Sequence, residues 1–452
     1  MKLLLITVGG SPEPLRTSLA TAKADRVVFV TSERSVEVAK QLAREAGLSE
    51  AADPGTPGAC IIVVPPDDLG AIYDRLTGLI DEERRATVGS LQLQADYTGG
   101  TKSMCAALAM AVVDAGGDLL LTTAPRTDLT AVRAGQATRR LQLDAIHVRR
   151  LESQLLPSLL ERYAYRDAAA VARQLLVDES LDPKHVARLR TIATACDAFD
   201  AWDRLALGHA FRVLDALTPT PKPHLLALKR VIRATAVARH KLTPTEPPNK
   251  VKVDGETVSC GVPIHGFEPV EDLLANAERR ANQGRFDDGV GRLYRAFELT
   301  AQLALWYGFE LRTDDIDPER VRSHNTEVAD RLAATRDHRG RIRLPAWRAW
   351  ELLVDLAPTD PSTAPWVGEL ANAFTKQKKT LLAALETRNH SLFAHGYDPI
   401  GPEQYDRFRS KVGGFLSGHL QRVQARSRGD AEEPLPKWPT SVEELLGTSG
   451  SD

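Results

Sequence analysis

Short apolar runs separated by helical stretches fill the first 150 residues, and this alternation constrains the fold more than any other feature of the chain. The runs are Lys2–Val8, Arg26–Val30, Cys60–Val64, Leu91–Asp96 and Asp118–Thr123. Helical stretches follow at Val36–Ala46, Leu69–Ile80 and Ala106–Ala115. Runs this short and this apolar read as strands buried on both faces, the signature of a parallel sheet. Thr130–Val132 and Arg139–Leu143 flank a turn at Gly135 and read as a hairpin. Together they predict an open, mostly parallel α/β sheet of Rossmann type over residues 1–150.

From Leu151 the strands stop. Helical periodicity near 152–163, 168–177, 184–199, 201–216 and 224–240 is broken by Pro183 and by two proline-rich stretches. Val251–Val253 and Thr257–Ser259, joined by Asp254-Gly255-Glu256, suggest a hairpin or exposed loop. Residues 151–265 therefore read as an all-α linker domain. A second all-α domain is expected over 266–427. Its first long helix carries Phe286, Val290, Leu293, Phe297, Ala301 and Ala304 on one face and ends at Gly308. Residues 428–452, rich in charge, proline, glycine and serine, read as a flexible tail.

Ligands of open parallel sheets bind where the strands end. Those ends carry Gly9, Gly10 and Ser11, then Thr31 and Ser32, then Thr98, Gly99, Gly100, Thr101 and Lys102. Glycines admit close backbone approach to phosphate, and a helix starting near Thr101 offers unpaired N–H groups to an anion. Neither a Walker loop nor a dinucleotide fingerprint is present. VGGSPEP and DYTGGTKSM resemble the ligand loops of CARF domains. That resemblance implies a cleft for cyclic oligoadenylate between two protomers, contacted by these glycines, Ser11, Thr98, Thr101 and Lys102, with Thr31 and Ser32 beside them.

The stretch TRNHSLFAHG, Thr387–Gly396, follows a helical run. On a continued helix Leu381, Leu385, Arg388, Leu392 and His395 share one seam, and Gly396 ends it in a left-handed conformation. An arginine and a histidine without a carboxylate pair or metal cluster suit phosphodiester cleavage by the substrate's own 2′-hydroxyl, a nucleophile only RNA supplies. His395 moves the protons and Arg388 holds the charge building on the phosphorane. One such pair barely grips one phosphate, and a two-fold dimer would bring two pairs together. RNHSLFAHG resembles the R-x(4–6)-H signature of HEPN ribonucleases, and GRFDDGVGRLYRAFEL resembles their first helix. The two resemblances join in the CRISPR-associated CARF–HEPN ribonucleases of type III systems. They imply catalytic Arg388, Asn389 and His395, with Asn389 a positioning residue and His390 in a lesser role. Arg295 and Glu298 read as a solvated pair on that helix.

Between Arg320 and Arg348 stand eight arginines and two histidines against Glu327, Asp330 and Asp337. Arg339, Arg341 and Arg343, near Trp347 and Trp350, are candidates for gripping single-stranded RNA, against the alternative of an exposed basic loop with its tryptophans in the core. The net charge of −2 makes any RNA site a local patch. The four scattered cysteines show no disulfide framework or zinc spacing, which suits a cytoplasmic protein, and no run is long enough to span a membrane.

The resulting expectation is a homodimeric, metal-independent endoribonuclease with no cofactor. Cyclic oligoadenylate, tetra- or hexa-adenylate, activates it, and it leaves 2′,3′-cyclic phosphate ends. It is linked functionally, without stable association, to a type III effector complex. Slow cleavage of the activator, as in some relatives, is compatible with this. The alternatives are a non-catalytic sensor and dimerisation scaffold, or a Rossmann-type mononucleotide-binding enzyme.

Overall fold

The structure, a computed structural model, describes the chain apart from residues 124–136, 178–180, 219, 241–246, 358–364, 392, 393, 395, 428–432 and 448–452. It forms two compact units, Met1–His147 and Val148–Asp452.

All five expected strands form: β1 (Lys2–Thr7), β2 (Arg26–Thr31), β3 (Gly58–Val63), β4 (Gln92–Asp96) and β5 (Asp118–Thr123). A sixth, β6 (Ala137–Arg140), joins at the edge, giving the order β3-β2-β1-β4-β5-β6. The first five are parallel and β6 is antiparallel to β5. Of the expected hairpin, Thr130–Val132 lies outside the described residues.

The unbroken apolar runs are explained by helices on both faces. Leu3 and Leu5 of β1 enter one core with α3 (Leu69–Ala86) and α4 (Lys102–Asp114) through Ile72, Leu76, Met104 and Leu108. Leu4 and Ile6 enter the other with α1 (Glu13–Ala22) and α2 (Val36–Glu45) through Leu15 and Leu42. Successive side chains point to opposite faces, so a strand covered on both sides has no place for alternation.

In the second unit one core gathers α5 (Tyr165–Leu175), α6 (Pro183–Asp203), α7 (Leu207–Ala216) and α8 (Lys222–Arg239). The hairpin of β7 (Lys250–Val253) and β8 (Glu256–Ser259) packs there too, its turn made by Asp254 and Gly255 at positive φ. A second core gathers α9 (Glu268–Asn282), α10 (Phe286–Phe309), α11 (Thr326–Ala333), α12 (Ala346–Leu356), α13 (Pro365–Asn389) and α14 (Gly414–Gln424).

The tail expected to be flexible is a strap over residues 433–447. Trp438 is buried among Tyr165, Phe199 and Trp202, with ring centroids 4.9–5.8 Å apart, and the guanidinium of Arg279 lies 3.5 Å from the Trp438 ring centroid. The Tyr165 hydroxyl donates to the Pro439 carbonyl at 2.7 Å, and Arg230 donates to that of Glu433 at 2.9 Å. Val442, Leu445 and Leu446 are buried behind it. The composition of the segment argued for disorder, but a few apolar anchors outweigh it.

Under the strap sits a buried polar hub. Asp203, at the end of α6, accepts from Asn276 at 3.0 Å, from Arg279 at 2.9 Å and from Arg280. Asp272 lies 3.7 Å from Arg279, and burial pushes its carboxyl up to about 6 despite that neighbour.

Two outcomes follow. Trp438→Ala should lower stability by about 3–5 kcal/mol, the cost of emptying a buried tryptophan site, read from a urea unfolding curve. Asp272 is charged in both states above pH 6, where the folded state carries the desolvation penalty, and neutral in both below about 4. Asp272→Asn should therefore stabilise by on the order of 3 kcal/mol at pH 7–8, a gain that shrinks as pH falls through 6 and vanishes below about 4. Unfolding midpoints of both proteins across that range check it.

Candidate functional sites

In the first unit the strand order reverses between β1 and β4, the switch point at which open parallel sheets bind their ligands. The loops after these strands press backbone against backbone. A Cβ on Gly9 would lie 2.7 Å from the Gly100 nitrogen, and one on Gly99 would lie 2.7 Å from the Thr7 carbonyl oxygen. Gly100 has φ +88°, a region side chains disfavour. The Thr7 hydroxyl and the Cys105 thiol both donate to the Gly99 carbonyl, at 2.6 and 2.9 Å. Burial pushes the Cys105 thiol up, so it is a neutral donor here.

Asp96, fully buried at the end of β4, was not singled out from the sequence. One oxygen accepts from the Thr98 backbone N–H at 2.7 Å and the other from the Thr122 hydroxyl at 3.0 Å. The Thr122 N–H donates to the Thr98 hydroxyl at 2.9 Å. Thr101 caps α4 by accepting from the Met104 N–H at 3.2 Å, and its hydroxyl donates to Pro66. The only hint of this network in the sequence was an acidic residue closing an apolar strand.

Gly9, Gly10, Ser11, Thr98, Gly99, Gly100, Thr101 and Lys102 thus gather at the carboxyl edge of β1 and β4. Gly10, Ser11, Gly100 and Lys102 are exposed there. Thr31 departs from its expected place: it is fully buried within β2 and donates to the Ile62 carbonyl at 2.9 Å. Ser32, half-buried, closes a short turn with Ser35.

In the second unit α13 ends at Asn389, so the single helical seam running to Gly396 is not formed. Leu381 and Leu385 do enter the core, and Arg388 emerges half-buried at its margin. Beyond the helix the Ala394 and Gly396 N–H groups donate to the Ser391 carbonyl at 3.0 and 3.1 Å, and Ser391 bridges to Asp398. A Cβ on Gly396 would lie 1.9 Å from the His390 carbonyl oxygen, so glycine is needed for the close return of the chain. His395 lies outside the described residues. His390 and Asn389 are exposed, and Arg388 donates to the Asn389 side-chain oxygen at 3.2 Å.

The guanidinium of Arg388 lies 4.3 Å from the ring centroid of Tyr294 on α10, a contact the sequence reading missed although the neighbouring Arg295 was weighed. Arg295 forms the expected pair with Glu298 at 2.6 Å. Arg339 and Arg341 donate their backbone N–H groups to Asp337 at 2.8 and 2.9 Å, which builds a tight turn and holds that carboxyl below its usual range. Trp350 is fully buried, its N–H donating to the Phe297 carbonyl at 3.2 Å, so the core reading of this tryptophan holds. Among the described residues no three His, Cys, Asp or Glu side chains cluster to hold a metal ion, and no helix is long and apolar enough to cross a membrane.

Residues 264–419 match the family model of the Csm6 HEPN domain. The C-terminal domain is of the Csm6 HEPN type. A structure of Enterococcus italicus Csm6 bound to cyclic hexa-2′-fluoro-hexa-dAMP is similar over 99% of this chain and 98% of that one, with 12% identity and a TM-score of 0.58. That likeness carries the fold of the whole chain, Rossmann-like sheet and helical HEPN region together. The resemblance to the CRISPR-associated CARF–HEPN ribonucleases accordingly holds. Can2 from Sulfobacillus thermosulfidooxidans, in complex with cyclic tetra-adenylate, is 10% identical over 45% of this chain and 67% of that one, with a TM-score of 0.23. No curated protein sequence matches the chain.

The crowding at Gly99 predicts that Gly99→Ala lowers stability by about 1–3 kcal/mol, since backbone cannot yield to the new methyl. Gly10→Ala, with nothing within 4 Å of its Cβ, should change it by less than about 0.5 kcal/mol. Paired thermal melts check the contrast.

Proposed function

We propose that the chain is a single-stranded RNA endoribonuclease of type III CRISPR antiviral defence, activated by cyclic oligoadenylate and working as a cytoplasmic homodimer. The observation that carries this reading is Arg388. Within a Csm6-type HEPN domain it is held half-exposed on the ring of Tyr294, at the head of the motif RNHSLFAHG. The first unit acts as the sensor: the glycine loops after β1 and β4, with Ser11 and Lys102, receive the activator's phosphates. The helices of 151–265 join sensor to effector, and 266–427 does the chemistry.

In the proposed reaction the 2′-hydroxyl oxygen attacks the adjacent phosphorus and the bond from phosphorus to the 5′-oxygen breaks. The proton leaves the 2′-oxygen and a proton reaches the 5′-oxygen, so the products are a 2′,3′-cyclic phosphate and a free 5′-hydroxyl. His395 carries these protons, and Arg388 meets the charge on the phosphorane. Asn389 accepts from Arg388 and steers it. Tyr294 is a platform: its ring face attracts the guanidinium and fixes where it points. The nucleophile is the substrate's own, so the protein supplies protons and charge and the reaction proceeds without a metal cofactor.

Purified protein is incubated with a fluorescent single-stranded RNA in EDTA, with and without cyclic tetra- or hexa-adenylate. Cleavage should require one ligand, and Arg388→Ala and His395→Ala should each lower its rate by about 10²–10⁴. Tyr294→Leu should lower kcat by about three- to thirty-fold while Tyr294→Phe, which keeps the ring, stays near wild type. Tight binding of a ligand without cleavage would replace this reading with a sensor and dimerisation scaffold.

A further inference from the structure

A groove of about 710 Å³ opens between α11, α12 and α13, away from the end of α13 where Arg388 sits. Its floor is apolar, with Leu352 and Phe374 buried. Its rim carries four cations, Arg331, Arg343, Arg348 and Lys378, against two carboxylates, Glu351 and Asp355. In a chain of net charge −2 this is a local excess of positive charge.

The carboxylates hold the cations in place without consuming them. Glu351 takes Arg348 at 2.8 Å and Lys378 at 3.1 Å, and Asp355 takes Arg331. Burial alone would raise the Glu351 carboxyl, yet these two cations keep it below its usual range. The cation side chains are 47–71% exposed in these pairs, so the pairs are weak and a phosphate can share their donors at little cost. Arg343 is exposed beside them. A groove of this size fits ligands on the scale of a nucleotide or two.

Its place relative to Arg388 follows from one helix. Lys378 and Arg388 are ten residues apart on α13, about 15 Å along the axis and about 80° around it. A strand whose scissile phosphate met Arg388 would pass the groove a few nucleotides away.

We propose that this groove is an exosite that grips flanking phosphates of single-stranded RNA, an inference that rests on the ribonuclease reading of Arg388. The residues that do so are Arg343, Arg348, Arg331 and Lys378, of which only Arg343 stood out in the sequence.

The test uses full-length Arg343→Glu/Arg348→Glu, both positions exposed, beside wild type and Arg388→Ala. Binding of a 20-nucleotide single-stranded RNA is measured by fluorescence anisotropy across a salt series. Cleavage of that RNA and of a tetranucleotide is followed with activator present. The charge reversal should weaken binding of the long RNA about tenfold or more and flatten its salt dependence by a slope of about 1.4, roughly 0.7 for each of the two phosphate contacts removed. It should also raise KM for the long substrate at least tenfold more than for the tetranucleotide. Wild-type binding and salt slope, or equal loss on both substrates, would overturn the exosite. If wild type fails to cleave RNA yet the charge reversal abolishes binding, the groove stands and the ribonuclease reading falls. If Arg388→Ala is inactive while the charge reversal binds and cleaves like wild type, the reverse holds.

Discussion

The second unit depends on a carboxylate that receives three side chains away from water. Asp203 ends a helix of one core and accepts from Asn276, Arg279 and Arg280 of α9, a helix of the other. Breaking such a hub leaves charges buried without partners, which is far costlier than losing an exposed pair. Arg292 of α10 donates in turn to the Asn276 oxygen, so the helix that carries Tyr294 is tied to the same point. Trp438 closes the hub from above by lying against Arg279. The platform under Arg388 and the strap at the C-terminal end are thus held by one polar cluster.

The first unit solves a different problem. Its glycine loop, with Gly100 and Lys102 exposed, is fixed from beneath by Asp96, Thr7 and Thr122. A buried carboxylate needs donors, and here both are supplied by the loop and its neighbouring strand. The glycines have distinct reasons: Gly9 and Gly99 permit close approach, and Gly100 permits a positive φ.

Much of this was legible in the sequence. The apolar runs located every strand of the parallel sheet because a strand buried on both faces has no alternative pattern. Asp254-Gly255 located the hairpin because few residues accept positive φ in succession. Leu381, Leu385 and Arg388 were placed on one face correctly, since helical period holds until the helix ends. Where the helix ends was not legible. Gly396 is chosen for contact with the His390 carbonyl, a requirement of the folded chain that a local rule for helix termini cannot express. The tail was misjudged for a related reason: composition averages over a segment, whereas Trp438 alone supplies a buried anchor.

By itself the sequence determined the class of each domain, the strands whose ends carry the glycine loops, and the residue types suited to the proposed chemistry, because periodicity and backbone freedom act within a few residues. Tertiary structure alone decided which groups those residues meet. Thr31 faces the core and Tyr294 faces Arg388 because of packing between elements far apart in the chain. The cations of the groove converge from three elements for the same reason, and no local pattern records such distances.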